Sequence, residues 1–208
     1  MNESNVFELV KKLQKSAPKY LDLLSAETED DFNIAFDSFL EDGIIYLEEN
    51  KKNHKNLDEE GLSAALAGKV SLPGLTVTQE RNSNGHVDIT FSLDYVFPAR
   101  KKLAEAKIWR GAEYHIQGLE QLLKRYTTGR ESRGIVISYV QQRKIKDLFE
   151  KLKNRMNEEK PCEQITECQQ HTMKWSFISK HNHSSGENIE VCHIGCNLFV
   201  ESELGELV

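Results

Sequence analysis

The sequence predicts an α/β (α+β) fold: a mixed central sheet flanked by helices, with a helical N-terminal extension ahead of it. Three observations carry this. Apolar residues recur at helical spacing near the N-terminus and again after residue 112. Two segments, GHVDITF at 85–91 and LAEAKI at 103–108, alternate polar and apolar residues as half-buried strands do. A compact apolar run, GIVISYV at 134–140, is short enough for a strand and apolar enough to be buried on both faces.

Each element follows from local pattern. In residues 3–25, Val6, Leu9, Val10, Leu13, Leu21 and Leu24 form a helical stripe that Pro18 should break or kink. A second helix begins near Glu29, with Thr28 or Asp30 as its cap and Phe32, Ala35, Phe36, Phe39 and Leu40 on its apolar face. Residues 51–56 are polar and read as a linker. Asp58 can cap a helix over 59–67 that buries Leu62, Ala65 and Leu66. Pro73-Gly74 turns the chain into a strand at 75–80, and Asn82-Ser83-Asn84-Gly85 makes the tight turn of a hairpin with 86–92.

Residues 112–127 read as a helix with Ile116, Leu119, Leu123 and Tyr126 buried, followed by Gly129 as its terminator. Residues 141–157 form another, with Ile145, Leu148, Phe149 and Leu152 as its stripe. A loop to residue 170 leads to strands at 173–180 and 189–199, joined by the turn-rich HNHSSGEN. The expected division is a helical extension at 1–56 and a core at 57–208 that ends in a β-hairpin.

The chain has 208 residues, 38% hydrophobic and 29% charged, enough for a real core and unlike a globally disordered polymer. No run of about eighteen apolar residues occurs, so no membrane-spanning helix is expected. The first fifteen residues lack a continuous apolar signal segment, and a cytoplasmic protein is the expectation. Net charge is −6, yet residues 98–146 carry twelve Lys and Arg against four Asp and Glu, a local +8. A basic block in an acidic chain suits a phosphate-bearing partner, or is a solvated charge run. The acidic N-terminal helices are expected to pack on the core, with a homodimer or a partner protein as the alternatives.

Strand alternation puts Glu105 and Lys107 on one surface, and pairing of the two strands would bring Asp88 beside them. Two carboxylates can hold a magnesium ion that keeps most of its waters, and a lysine alongside can steady charge on a phosphate. The plainer alternative is a strand-end aspartate beside a solvated ion pair. Upstream, Glu59 lies three residues before Leu62, on the buried side of its helix, whereas Glu60 points about 100° away. Glu59 is therefore the acid expected to face the strands.

Asp88, sixteen intervening residues, then Glu105-Ala106-Lys107 on a second strand resembles the PD-(D/E)xK, or restriction-endonuclease-like, nuclease superfamily. The likeness covers about residues 58–140 and includes the helical glutamate, the helix bearing Gln117 and Gln121, and the strand RGIVISYV. It departs from the pattern at Val87, where the superfamily has proline. Small nuclease-like proteins of prokaryotic defence loci are similar too. The resemblance implies a restriction-endonuclease-like core and Mg²⁺- or Mn²⁺-dependent hydrolysis of DNA, in a role such as antiphage defence. It implies Asp88, Glu105 and Glu59 around the metal, Lys107 at the reacting phosphate and Gln117 or Gln121 nearby. Arg100, Lys101, Lys102 and Arg110 are then candidate contacts to backbone phosphates. The alternative function is a non-catalytic interaction module that keeps the fold as a scaffold.

The cysteines are spaced C-x5-C (Cys162, Cys168) and C-x3-C (Cys192, Cys196), with His171 and His193 nearby. Structural zinc sites favour tighter pairs, so these read as buried thiols. His181 and His183 read as surface residues at a hairpin tip.

Overall fold

The computed structural model describes residues 3–79, 88–93 and 100–201. The turn expected at 82–85 and the start of its second strand lie outside the described residues. Among the described residues a seven-stranded mixed sheet, ordered β1-β2-β3-β4-β7-β6-β5, forms the middle layer. Its strands are β1 (Leu75–Thr78), β2 (Ile89–Leu93), β3 (Arg100–Ile108), β4 (Arg133–Val140), β5 (Gln169–Gln170), β6 (Ser176–Asn182) and β7 (Asn188–Asn197). β3, β4 and β7 run parallel, while β1–β2–β3 and β7–β6–β5 pair antiparallel. Parallel neighbours need a crossover, which α6 (Ala112–Gln121) supplies between β3 and β4.

Helices cover both faces. On one face lie α3 (Glu29–Glu49) and α5 (Glu59–Val70), burying Phe32, Phe36, Leu62 and Leu66 against Ala104, Ala106, Ile135 and Ile137. On the other lie α6 and α7 (Ile145–Glu159), with Leu119, Phe149 and Leu152 against Leu103, Val136 and Val191. Leu23 and the apolar face of α3 thus share one core with the sheet. Pro18 does break the first helical stretch, into α1 (Glu3–Ser16) and α2 (Pro18–Ser25). α3 starts at a capping box: the Asp31 N–H donates to Thr28 Oγ1, and the Thr28 N–H to the Asp31 carboxylate.

Gly43 sits inside α3 because the helix crossing needs it. A Cβ there would lie 2.5 Å from Val70 Cγ1 and 2.8 Å from Leu66 Cδ1. Residues 51–54, expected as linker, form a helical turn, α4 (Lys51–His54). The helix expected over 112–127 is α-helical only to Gln121. It closes as a π-turn over Leu122–Tyr126, where Thr127 Oγ1 donates to the carbonyls of Leu122 and Leu123. The helix expected at 141 starts at 145, because Lys144 takes a left-handed conformation (φ 64°).

Gly43→Val should lower the unfolding free energy by about 2 kcal/mol through overpacking. The readout is a lower urea midpoint at unchanged slope. An unchanged midpoint would show that the α3–α5 crossing has slack.

Candidate functional site

The site forms where β2 and β3 part. Among the described residues their ladder ends at Ile89 opposite Ala104, and one further step would set Asp88 opposite Glu105. Side chains take over from the ladder there. The Ala106 N–H donates to Asp88 Oδ2 at 2.7 Å, and the Ile108 N–H to Glu59 Oε2 at 2.8 Å. N–H groups two residues apart on a strand face the same edge, so carboxylates from two other elements close this stretch of β3. Glu59 is in the first turn of α5, whose cap Asp58 accepts the Gly61 N–H at 2.8 Å. Glu60 is exposed.

Glu105 and Lys107 face α6. Gly118 packs over them, close enough that a Cβ would sit 3.3 Å from Lys107 Cγ and 3.5 Å from Glu105 Cγ. Lys107 Nζ lies 2.6 Å from Glu105 Oε1 and 3.4 Å from Glu59 Oε1. The Glu105 side chain is only 2% exposed, and its Oε2 is buried with no hydrogen-bond partner among the described residues. Burial, then repulsion from Asp88, pushes the Glu105 carboxyl up to about 7 against the pull of Lys107. Burial also raises Asp88, opposed by the Ala106 N–H. Burial alone would depress Lys107, but its hydrogen bond to Glu105 and the surrounding carboxylates outweigh that and raise it. The half-buried Tyr126, at the end of the π-turn, is raised by burial and then by Glu105 and Asp88. It joins the site in a way its helical spacing did not announce.

The residues expected around a metal only partly converge. Among the described residues no three His, Cys, Asp or Glu side chains gather around one point. Glu59 is engaged instead by the Ile108 N–H and Lys107. Asp88 and Glu105 are the pair left for a cation, and the orphaned Glu105 Oε2 fits one. Two carboxylates suit a hard ion that keeps several waters. Gln117 is exposed on α6, whereas Gln121 turns its Oε1 inward, where it has no hydrogen-bond partner among the described residues.

The basic block divides. Lys101 and Arg110 are exposed. Lys102, expected at a phosphate, is fully buried under α3 with Nζ 2.6 Å from Glu29 Oε1, which removes it from the candidates. Arg100 turns the same way, donating to the carbonyls of Ala26 and Glu27. Arg133 is also committed, to Asp37 and Glu190 at 2.9 and 3.0 Å.

A second polar cluster lies on the same sheet face. His115 bonds Ser138 Oγ through Nδ1 at 2.7 Å and His193 Nδ1 through Nε2 at 2.8 Å. His193 Nε2 reaches Ser179 Oγ at 2.7 Å, and Ser179 reaches His181 Nε2 at 2.6 Å. His181 is therefore corrected from surface to interior: alternation along β6 carries Phe177, Ser179 and His181 inward together. The four cysteines are free thiols, with Cys192 and Cys196 in the core beneath α3.

No protein-family model, curated protein or solved structure matches this chain.

A carboxyl whose folded pKa is raised favours folding while it is protonated. That contribution is full below about pH 4.5 and is lost as pH rises to about 7. Glu105→Gln should therefore match wild type near pH 4.5 and exceed it at about pH 8 by on the order of 2 kcal/mol. Urea unfolding at the two pH values checks this, and equal stabilities at both would contradict it.

Proposed function

We propose that this chain is a metal-dependent nuclease that hydrolyses phosphodiester bonds in DNA. It would have a restriction-endonuclease-like core of the PD-(D/E)xK type, and defence against foreign DNA is a fitting role. The observation that carries the reading is the Oε2 of Glu105, buried near Asp88 and Lys107 with no hydrogen-bond partner among the described residues. A buried acceptor left unsatisfied is costly, and a cation would relieve it.

Asp88 and Glu105 are the groups that would hold magnesium or manganese. When bound, the ion would polarise the phosphate and offset the charge that develops on it. Lys107, kept charged by Glu105 and Glu59, can donate to a phosphate oxygen and stabilise the same charge. Glu59 is a positioning residue: it holds both the Ile108 backbone and the Lys107 ammonium. Lys101 and Arg110 remain as contacts that position a backbone without reading bases.

One observation favours a second reading, a non-catalytic scaffold. Asp88 and Glu59 already satisfy Ala106 and Ile108, a use that needs no metal.

Cleavage of supercoiled plasmid with magnesium separates the readings. Asp88→Ala, Glu105→Ala and Lys107→Ala should each lose at least about a hundredfold in rate. Glu59→Gln should slow turnover about tenfold, while Glu60→Gln stays near wild type. Wild-type rates in any of the three alanine variants, at unchanged stability, would remove the proposed site. No cleavage by the wild-type protein with any divalent ion would favour the scaffold.

The raised carboxyl adds a pH signature. Glu105 must lose its proton to bind a cation, so manganese affinity should climb about tenfold per pH unit up to about 7 and flatten above. Calorimetric titration gives the profile, and a Glu105→Gln variant that kept the same slope would assign it to another group.

A further inference from the structure

We propose that a cavity between α7 and the turn into β6 is a base-stacking subsite for an unpaired nucleic-acid strand. The inference deepens the nuclease reading and rests on it for the identity of the polymer. The cavity holds about 390 Å³. The half-buried Trp175 supplies the accessible aromatic surface, with the nearly buried Phe149 and Phe177 behind it, and Lys146, Lys153 and Lys174 bring three cationic heads. One carboxylate is present, Glu150, 3.8 Å from Lys146. A nucleotide carries both features such a cavity recognises, a planar face and an anionic phosphate. An acidic peptide would use the lysines but not the indole, and an apolar helix would have to desolvate three ammonium groups.

The backbone is arranged to present the indole. Trp175 is half-buried and sits at φ 51°, a left-handed conformation that a bulky side chain rarely adopts. The Gly195 N–H holds it there, donating to the Trp175 carbonyl at 2.9 Å. Gly195 lacks a side chain because a Cβ would meet Phe149 at 2.6 Å, so the glycine lets Phe149 down onto the sheet as a cavity wall. Strain of this kind persists where the surroundings over-determine it, as at binding sites.

The cavity is also in line with the carboxylates. Lys107 pairs with Ser138, Ser138 with Gly195, and Gly195 bonds Trp175. That is one row across three strand spacings, roughly 14 Å. Ser138 and Gly195 within that row are buried beneath His115 and Phe149, so the row measures the separation of the two sites, and a strand joining them would span more than the roughly four stacked nucleotides of the direct line.

The test is binding, measured in chelator so that no cleavage is needed. Fluorescence anisotropy of labelled oligothymidylate with the full chain should show affinity that falls about tenfold or more in Trp175→Ala and stays within about threefold in Trp175→Phe. Lys174→Glu, an exposed position, should weaken binding and lower the salt slope by about one, and it keeps the test decisive if Trp175→Ala fails to fold. Both variants binding like wild type would overturn the subsite. So would heparin competing as well as the oligonucleotide while Trp175→Ala leaves both unchanged, because that marks a mere charge patch. A Trp175 effect in a protein that never cleaves keeps the subsite and removes the catalytic reading. Cleavage by wild type with Trp175→Ala binding unchanged does the reverse.

Discussion

Two backbone N–H groups on β3 constrain this site. Among the described residues the β2–β3 ladder runs only as far as Ala104, and no strand there receives the N–H groups of Ala106 and Ile108. Buried amides left unpaired cost too much to persist. Asp88 and Glu59 receive them instead, and that choice fixes the rest. It docks the N-terminus of α5 against the end of β3. It selects Glu59 over its neighbour, because only a residue on the Leu62 side of the helix reaches the strand. It also brings two anionic groups toward a third, Glu105, whose carboxyl rises to about 7 as a result of burial and that crowding. Lys107 relieves part of the repulsion but contacts only one Glu105 oxygen. A structural demand for acceptors and a chemical capacity for a cation therefore arise from the same geometry.

The opposite face shows where charge is spent on folding. α3 opens with three acidic residues, Glu29, Asp30 and Asp31, favourable at a helix N-terminus. Glu29 and Asp37 then reach the sheet and take up Lys102 and Arg133. Lys102 Nζ also lies 5.3 Å from the centre of the Phe32 ring, so its head is shared between that ring and the Glu29 carboxylate. Such buried pairs contribute little net stability, but breaking one by removing a partner would strand a charge. They fix how α3 lies on the sheet, and they convert part of the apparent +8 block into internal structure.

How far the sequence could be read follows from which contacts are local. Alternation with period two put Glu105 and Lys107 on one face without knowledge of any partner. Helical spacing from Leu62 oriented Glu59. Both rest on fixed geometry within one element. The fate of Arg100 and Lys102 depended on α3, more than seventy residues away in sequence, and a charge count cannot see pairing across layers. The π-turn that brings Tyr126 near the carboxylates was hidden too, because a helical stripe at 116, 119, 123 and 126 fits α and π geometry alike over so short a stretch. His181 was legible and overlooked: carrying the strand alternation one step further places it inward with Ser179.

The buried histidines have a direction that hydrogen counting alone determines. His181 Nδ1 lies 2.9 Å from the Cys162 carbonyl oxygen, which can only accept, so that nitrogen carries the proton. Burial holds His115, His181 and His193 neutral by lowering all three. His181 Nε2 is then an acceptor, and the Ser179 hydroxyl donates to it. His193 must donate through Nε2 to Ser179, His115 through Nε2 to His193, and Ser138 through its hydroxyl to His115. Every proton in the chain points away from Ser138 and toward Cys162. A backbone carbonyl cannot pass a proton on, so the chain ends there and does not conduct. Its consequence is at the other end. Ser138, opposite Lys107 in the parallel ladder, has its only proton committed and can offer only lone pairs to its neighbours.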